Sequence, residues 1–363
     1  MLISFIVVAY NAAPVLTGLF QDLENQDYDH SQMEVLLGDS RSDDDTKKRF
    51  ESFREKNGGE FQRVCVLDNP GRTLPRGWNV ALREARGEAI LRVDAHTRIP
   101  PDFVRRNAEN IEQGEAICGG TVTSILTGES QWQRVLLLAE NSPFGGGAAK
   151  FRRSTKREYV DTVAFAAYSR QVFETVGGYD ERLARTEDNE MHYRMKQAGY
   201  RMLLDPKIAS WREARSTLPK LLRQKYLNGY WIGLTMGICP RCFSLYHLIP
   251  FVFVLAVLAT VVIALAGYPL LAILMWSAYA LLAVLMTVRA FGKGEGFCAA
   301  GLLLPVIFLL FHLWYGAGTL VGLCRLPFWI RRRENRGCPA IQEVKACLLT
   351  HGPGHTGKDR CVE

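Results

Sequence analysis

Taken by the spacing of its apolar positions, the chain has two textures that meet near residue 243. Ahead of that point, short apolar runs alternate with amphipathic stretches. ISFIVVA at 3–9 reads as a buried strand, 13–26 as a helix, MEVLLG at 33–38 as a second strand and 46–56 as a helix. RVCVL at 63–67, a helix over 77–85 and AILRV at 89–93 extend the series. This βαβαβαβ order predicts an α/β fold with a mostly parallel central sheet and helices on both faces. Behind residue 243 come three unbroken apolar blocks, 245–267, 269–288 and 298–323. Each is long enough to cross a hydrocarbon core of about 30 Å as a helix. The first two carry no Asp, Glu, Lys or Arg, and the third offers only His312 as a charge. The expected organisation is a head over 1–235, a C-terminal α-helical membrane domain over 236–330 and a basic, flexible tail over 331–363.

The N-terminal MLISFIVVAYN lacks a basic leader and a small-residue cleavage site. It reads as a strand rather than a signal peptide, and the head is expected in the cytosol. The formal charge of +7 is modest, but basic residues cluster at 150–157, 212–225 and 325–336, where they suit anionic headgroups or phosphates. Charge alone puts the head, Arg289 with Lys293, and Arg331, Arg332 and Arg333 on one side of a membrane. Three full crossings would put the tail on the other side, so a re-entrant block and a rule-breaking tail both stay open. Nine cysteines at scattered spacings make no disulfide framework. Cys239 and Cys242 have zinc-like spacing without a second half. Cys338, Cys347, His351, His355 and Cys361 suit a loose tail better than a metal site.

Candidate chemistry gathers at strand ends. In open α/β sheets ligands bind beyond the carboxyl ends of the strands, where this sequence places Tyr10-Asn11, Asp39-Ser40, Asp68-Asn69 and Asp94-Ala95-His96. There is no Gly-x-Gly-x-x-Gly after the first strand and no Walker loop, which disfavours a dinucleotide dehydrogenase or a P-loop ATPase. In AILRVDAHTRIPPDF, Asp94 and His96 point the same way if the backbone is extended. They are then metal ligands, a salt-bridged pair or surface residues of a loop. The stretch FGGGAAKFRRSTKREYV is glycine-rich and basic, either a solvated flexible loop or one that attracts phosphate. Further on, Thr186 caps a helix that carries Glu187 and Asp188 in its first turn and stops at Gly199. Acidic residues in that position also simply suit the helix dipole.

The strings FIVVAYN, GDSRSDDDT, RVDAHT, VGGYDE, TEDNE and RQKYLNGYW occur in the order seen in family 2 glycosyltransferases. Over residues 2–235 the chain resembles the succinoglycan glucosyltransferase-like branch of bacterial exopolysaccharide enzymes, in which VDAH replaces the usual Asp-x-Asp. The resemblance implies a GT-A type nucleotide-sugar-binding head. It implies that Asp94 and His96 hold Mn²⁺ or Mg²⁺ against the donor diphosphate, whose developing charge a hard divalent cation neutralises. Tyr10 and Asp39 would meet the nucleotide base, Asp39 accepting from the uracil ring N–H. Arg72 is the better candidate for the diphosphate and Arg76 the poorer one. Asp43 and Asp44 share the loop after the second strand but equally suit a helix start at Thr46. Glu187 and Asp188 correspond to the family's acidic pair, with Asp188 as catalytic base and Glu187 orienting acceptor or donor. Adjacent helical residues do not face each other, which fits two different roles. Gln224, Tyr230 and Trp231 lie in the region of the family's Gln-x-x-Arg-Trp motif and are the acceptor-binding candidates. The Arg-Trp pair is absent at that spacing, which lowers the case for a processive enzyme, and Trp231 equally suits an interfacial anchor.

The activity so implied is an inverting, metal-dependent transfer of a single sugar, glucose by the nearest branch. The sugar would move from a UDP-sugar to a membrane polyprenyl-diphosphate-linked saccharide in polysaccharide biosynthesis. The implied partners are the donor, the lipid-linked acceptor, the membrane and a polysaccharide-assembly complex, with no nucleic acid. The implied place is the bacterial inner membrane, multi-pass, with the catalytic head in the cytoplasm. A polyprenyl-monophosphate glycosyltransferase, which needs less base catalysis, is one alternative. A non-catalytic membrane scaffold with a nucleotide-binding head, which need not keep Asp188, is the other.

Overall fold

Strands that are apolar along their whole length need cover on both faces, and the computed structural model of the protein supplies it. The structure describes residues 1–350 except 127, 129, 148, 293–297 and 333–335. Strand β1 (Ile3–Ala9) leads through α1 (Ala13–Glu24) to β2 (Met33–Asp39), and both strands are buried at every position. Then come α2 (Thr46–Asn57), β3 (Arg63–Asp68), α3 (Leu74–Glu84) and β4 (Ala89–Asp94). The four strands pair in parallel in the order β3-β2-β1-β4, as the alternation predicts.

The rest of the sheet is mixed. After β5 (Thr97–Arg98), α4 (Phe103–Glu112), β6 (Ile117–Ile125) and α5 (Gln131–Asn141) come β7 (Glu158–Val160) and β8 (Ala167–Ser169). Next are α6 (Arg170–Val176), α7 (Glu187–Gln197) and β9 (Met202–Glu213). β8 runs antiparallel to both β4 and β6, and β9 takes β5 and β7 as antiparallel neighbours. The sheet is therefore mixed, with the continuous parallel run β3-β2-β1-β4 made by the N-terminal strands.

The chain divides into two compact units: Met1–Thr123, Arg153–Arg212 and Gly337 onward form the first, Ser124–Arg152 and Glu213–Arg336 the second. The second contains α5, α8 (Leu218–Thr235), α9 (Ile249–Leu265), α10 (Leu270–Phe291) and α11 (Leu304–Trp329). Leu245–Leu265, Leu270–Phe291 and Ala299–Trp329 are helical, long and apolar enough to cross a membrane, matching the three apolar blocks.

The tail departs from expectation. Its residues Ala340–Thr350 form α12, which belongs to the first unit. Ala340, Val344 and Leu348 fall at every fourth position, so a helix gathers them into one apolar stripe. Val344 and Leu348 are fully buried in one cluster with Trp78, Tyr168, Phe173 and Tyr179. Gly178 N–H donates to Ile341 O (3.0 Å), Arg170 Nη2 to Leu348 O (2.9 Å) and Lys345 Nζ to Thr175 O (2.8 Å). Cys338 Sγ accepts from Glu181 N–H, while Cys347 Sγ reaches Arg83 O. The two thiols thus serve separate backbone contacts flanking and within the helix; His351, His355 and Cys361 lie outside the described residues.

Candidate active site

Parallel register lines up the strand ends. Ala9 pairs with Asp39, Asp39 with Asp68, and Val8 with Asp94. The loops after β1, β2 and β3 therefore open on the sheet edge where β4 ends. Each holds a non-glycine residue in the left-handed region: Asn11 (φ 49°), Arg41 (φ 55°) and Arg72 (φ 57°). Such backbone costs of order 1 kcal/mol or more per residue and concentrates at ligand sites.

Side chains tie these loops into one rim. Tyr10 Oη donates to Asp43 Oδ2 (3.2 Å). Arg72 Nη2 donates to Tyr10 Oη (3.1 Å), Asp43 Oδ2 (3.2 Å) and Arg41 O (3.2 Å), and its guanidinium lies 5.1 Å from the Tyr10 ring centre. Tyr10 is 49% exposed, offering an open aromatic face, whereas Asp39 is buried and accepts from Ser42 N–H. Asp43 thus joins the rim. Asp44 instead fixes the loop, accepting from Ala13 N–H, Thr46 N–H and Thr46 Oγ1. Arg76 is ion-paired with Glu181 at 3.5 Å.

One geometric expectation fails at the end of β4. The strand stops at Asp94, and Ala95 and His96 form a turn into β5. The two-residue alternation that would aim Asp94 and His96 alike ends with the strand. Asp94 is half-buried, Ala95 buried and His96 exposed.

Two residues before Asp94, on the same strand face, lies Arg92, a residue the motifs did not single out. It is buried, with its guanidinium 4.9 Å from the Trp78 ring and 5.2 Å from the Tyr179 ring. Its Nη1 donates to Tyr179 Oη (2.8 Å) and lies 2.6 Å from Asp188 Oδ1. Tyr179 is clamped in turn by Asn79, which accepts from its N–H (2.7 Å) and donates to its O (2.9 Å). The only signal in the sequence was a charge inside the apolar run AILRV.

Thr186 precedes α7 but its side chain makes no capping bond. Glu187 is buried and the Asp188 side chain is 44% exposed, so the adjacent carboxylates diverge as helical geometry requires. Burial, then the Asp188 charge and to a lesser degree Asp94, push the Glu187 carboxyl up to about 8. Burial also works to raise Asp188, but Arg92 overrides it and holds this carboxyl below the ordinary range. One turn on, burial pushes His192 down to about 4, its ring between Thr162 Oγ1 (3.0 Å) and Tyr168 Oη (3.2 Å). The site thus holds one carboxyl poised to keep its proton and one fixed as carboxylate.

The carboxylates also bear on a metal. Asp94 and Asp188 both disfavour charge on Glu187, and Glu187 Oε2 is buried without a hydrogen-bond partner. Surplus negative charge at a strand edge suits a hard divalent cation. Asp94 adjoins this charge, whereas the turn at Ala95 and His96 leaves His96 exposed. No group of three or more ligand-type side chains is pre-assembled among the described residues.

The remaining candidates sit on α8, in the second unit. Trp231 meets Tyr230 edge-on (6.2 Å) and Trp329 edge-on (6.4 Å), and Gln224 Oε1 is buried without a hydrogen-bond partner. The glycine-rich basic stretch is divided between the units. In the second, Lys225 Nζ donates to Gly145 O (2.6 Å) and Arg152 lies 3.7 Å from Glu140. In the first, Arg157 donates to Asn110 Oδ1 (2.9 Å).

A curled mixed sheet with a polar rim at its parallel strand ends, and an acidic helix start gripped from below by a buried arginine, define a glycosyltransferase of the GT-A fold. Residues 4–177 match the description "Glycosyl transferase family 2", and they are a domain of that family. The succinoglycan biosynthesis protein ExoA of Rhizobium meliloti (strain 1021) is 30% identical over 201 residues, 54% of this chain and 58% of that protein. The chain thus matches little more than half the length of that relative. A dolichyl N-acetyl-alpha-D-glucosaminyl phosphate 3-beta-D-2,3-diacetamido-2,3-dideoxy-beta-D-glucuronosyltransferase of Methanococcus voltae is 23% identical over 330 residues, 89% of this chain and 97% of the relative. Among solved structures, the mannosyltransferase PcManGT of Pyrobaculum calidifontis, in complex with GDP-Man and Mn²⁺, superposes with a TM-score of 0.52. It covers 91% of this chain and 88% of its own at 16% identity.

Proposed function

We propose that the protein moves a single sugar, glucose first among the candidates, from a UDP-sugar to a polyprenyl-diphosphate-linked saccharide with inversion at the anomeric carbon. The observation that carries this reading is the Arg92–Asp188 pair, which keeps a carboxylate charged at the sheet edge. That carboxylate is the base: it takes the acceptor hydroxyl proton as the bond to the sugar forms. One such base suits a single displacement. Glu187, neutral at pH 7, donates a hydrogen bond that orients acceptor or donor. Tyr10 stacks on the base of the nucleotide, Asp39 accepts from the uracil N–H, and Arg72 meets the diphosphate. Asp94 and His96 would hold Mn²⁺ or Mg²⁺, which supplies charge neutralisation for the departing diphosphate. Gln224, Tyr230 and Trp231 would receive the acceptor. The dolichyl-phosphate-linked substrate named for the Methanococcus relative favours a lipid-linked saccharide here.

On the same reading the second unit inserts into the membrane of a bacterial cell, the head faces the cytoplasm, and a polysaccharide-assembly complex is a further partner. The test is transfer from a panel of UDP-sugars to lipid extract by the purified protein, with Mn²⁺ or with chelator. Asp188→Asn should bind UDP-sugar as the parent does and lose transfer by about 10²–10⁴-fold. Transfer that survives in Asp188→Asn points instead to a phosphate acceptor, which needs less base catalysis.

A further inference from the structure

The chain comes back to where it began. α12 belongs to the first unit, buried there through Val344 and Leu348. A helix docked in the core of a domain lies on the same side of a bilayer as that domain. The chain leaves the first unit at Arg212 and rejoins it at Gly337, so it crosses an even number of times in between. Three helices of crossing length occupy that interval. We propose that α9 and α10 are the crossing pair, and that α11 stays on the head's side, laid against α8 at the membrane surface. The inference rests on the reading that the second unit enters a membrane.

The hairpin identifies the pair. Near its open end the Phe253 ring stacks 4.8 Å from Tyr279, and nearer its tip Thr260 Oγ1 lies 3.7 Å from Met275 Sδ. α9 and α10 are thus antiparallel, joined by 266–269 with Gly267 at φ +94°. Helices so joined cross together or not at all, and contribute an even number either way. Leu265 is 85% exposed and Tyr268 72%, so the tip offers its apolar surface outward, as a lipid-facing segment does.

The packing of α11 differs. Leu304, Ile307, Phe308 and Phe311 are buried among Val135, Leu136 and Ala139 of α5 and Leu221 of α8. His312 Nε2 lies 2.8 Å from Phe144 O. Further along, α8 and α11 run parallel with their backbones nearly touching. A Cβ at Gly318 would lie 2.1 Å from Tyr226 O, one at Gly322 2.2 Å from Tyr230 O, and one at Gly237 2.5 Å from Leu326. If α11 crossed, the parallel α8 would cross beside it in the same sense, which needs an odd number of crossings between them, whereas the hairpin supplies none or two. That arrangement would carry Lys220, Arg223 and Lys225 into hydrocarbon, at about 2.5–3.5 kcal/mol for each charge near the centre. The connector 330–339 is too short and too charged to cross, since it carries Arg331, Arg332, Arg333, Glu334 and Arg336. Basic residues flank α11 on both sides, Arg289 and Lys293 before and Arg331 onward after, as expected when both its ends stay in the cytoplasm.

The experiment places a protease recognition sequence singly into the full chain: before Met1, between Gly267 and Tyr268, between Gly294 and Glu295, or after Glu363. Cleavage is then read in sealed vesicles of each orientation. The sites at 294 and after 363 should be cut in the vesicles that expose the site before Met1, and the 267 site only in vesicles of the opposite orientation. A C-terminal site cut together with the 267 site would overturn the inference while leaving membrane insertion intact. A 267 site cut together with the N-terminal one would overturn both.

Discussion

An arginine inside a buried strand is costly unless its charge is held, and Arg92 is held by Asp188, Tyr179 and the face of Trp78. Arg92→Met should lower stability by about 3–5 kcal/mol in a denaturant titration. It should also shift the acid limb of the rate profile upward, because Asp188 loses the charge that depresses it. A limb that stays in place despite the lost stability would make Arg92 a packing residue only. Glu187 and His192 give opposite pH signatures. Folded Glu187 keeps its proton to about 8 while an ordinary glutamate releases it near 4.5. Its contribution to stability therefore worsens as pH rises between those values, and Glu187→Gln should raise Tm at pH 8 but not at pH 4. Folded His192 resists protonation down to about 4, whereas the unfolded imidazole takes a proton near 6.5. Stability falls as pH drops through that window, by about 3 kcal/mol in all, and His192→Gln should flatten the slope of Tm against pH there.

At the scale of elements, α12 offers the sharpest stability test. Leu348→Ala should cost about 2–5 kcal/mol as a core truncation, measured by chemical denaturation of the full chain, although the residue lies far beyond the sheet in sequence. The parallel strands were legible because each is a continuous apolar run separated from the next by one helix. β5, β7 and β8 were not, since strands of two or three residues owe their existence to partners distant in the chain. α12 escaped because its stripe of Ala340, Val344 and Leu348 is short and follows a run of arginines, and no local pattern names the surface it fills. The candidate site was legible in the same uneven way. Tyr10, Asp39, Asp94 and the acidic pair stand at recognisable strand and helix ends. Arg92 showed only as a misfit charge, its meaning dependent on Asp188 arriving from α7, and the turn at Ala95 and His96 was hidden because an extended continuation fits the same letters.

For the molecule as a whole, the hairpin and the basic residues make separable claims. If α9 and α10 insert as proposed, the attachment is apolar and insensitive to screening, so molar salt should leave the protein in the membrane pellet, whereas surface charge alone would release it. The return of α12 also has a consequence in time. A ribosome delivers β1 to β9 first, then α9 and α10, and residues 340–350 after them. While α9 and α10 emerge, the seat for Val344 and Leu348 among Trp78, Phe173 and Tyr179 is still unfilled. The wall behind Arg92 and Asp188 is finished only once residue 348 has been made. A message cut short before codon 340 would leave a head with an open seam, prey to proteases. On the proposed topology, anchoring thus precedes completion of the head.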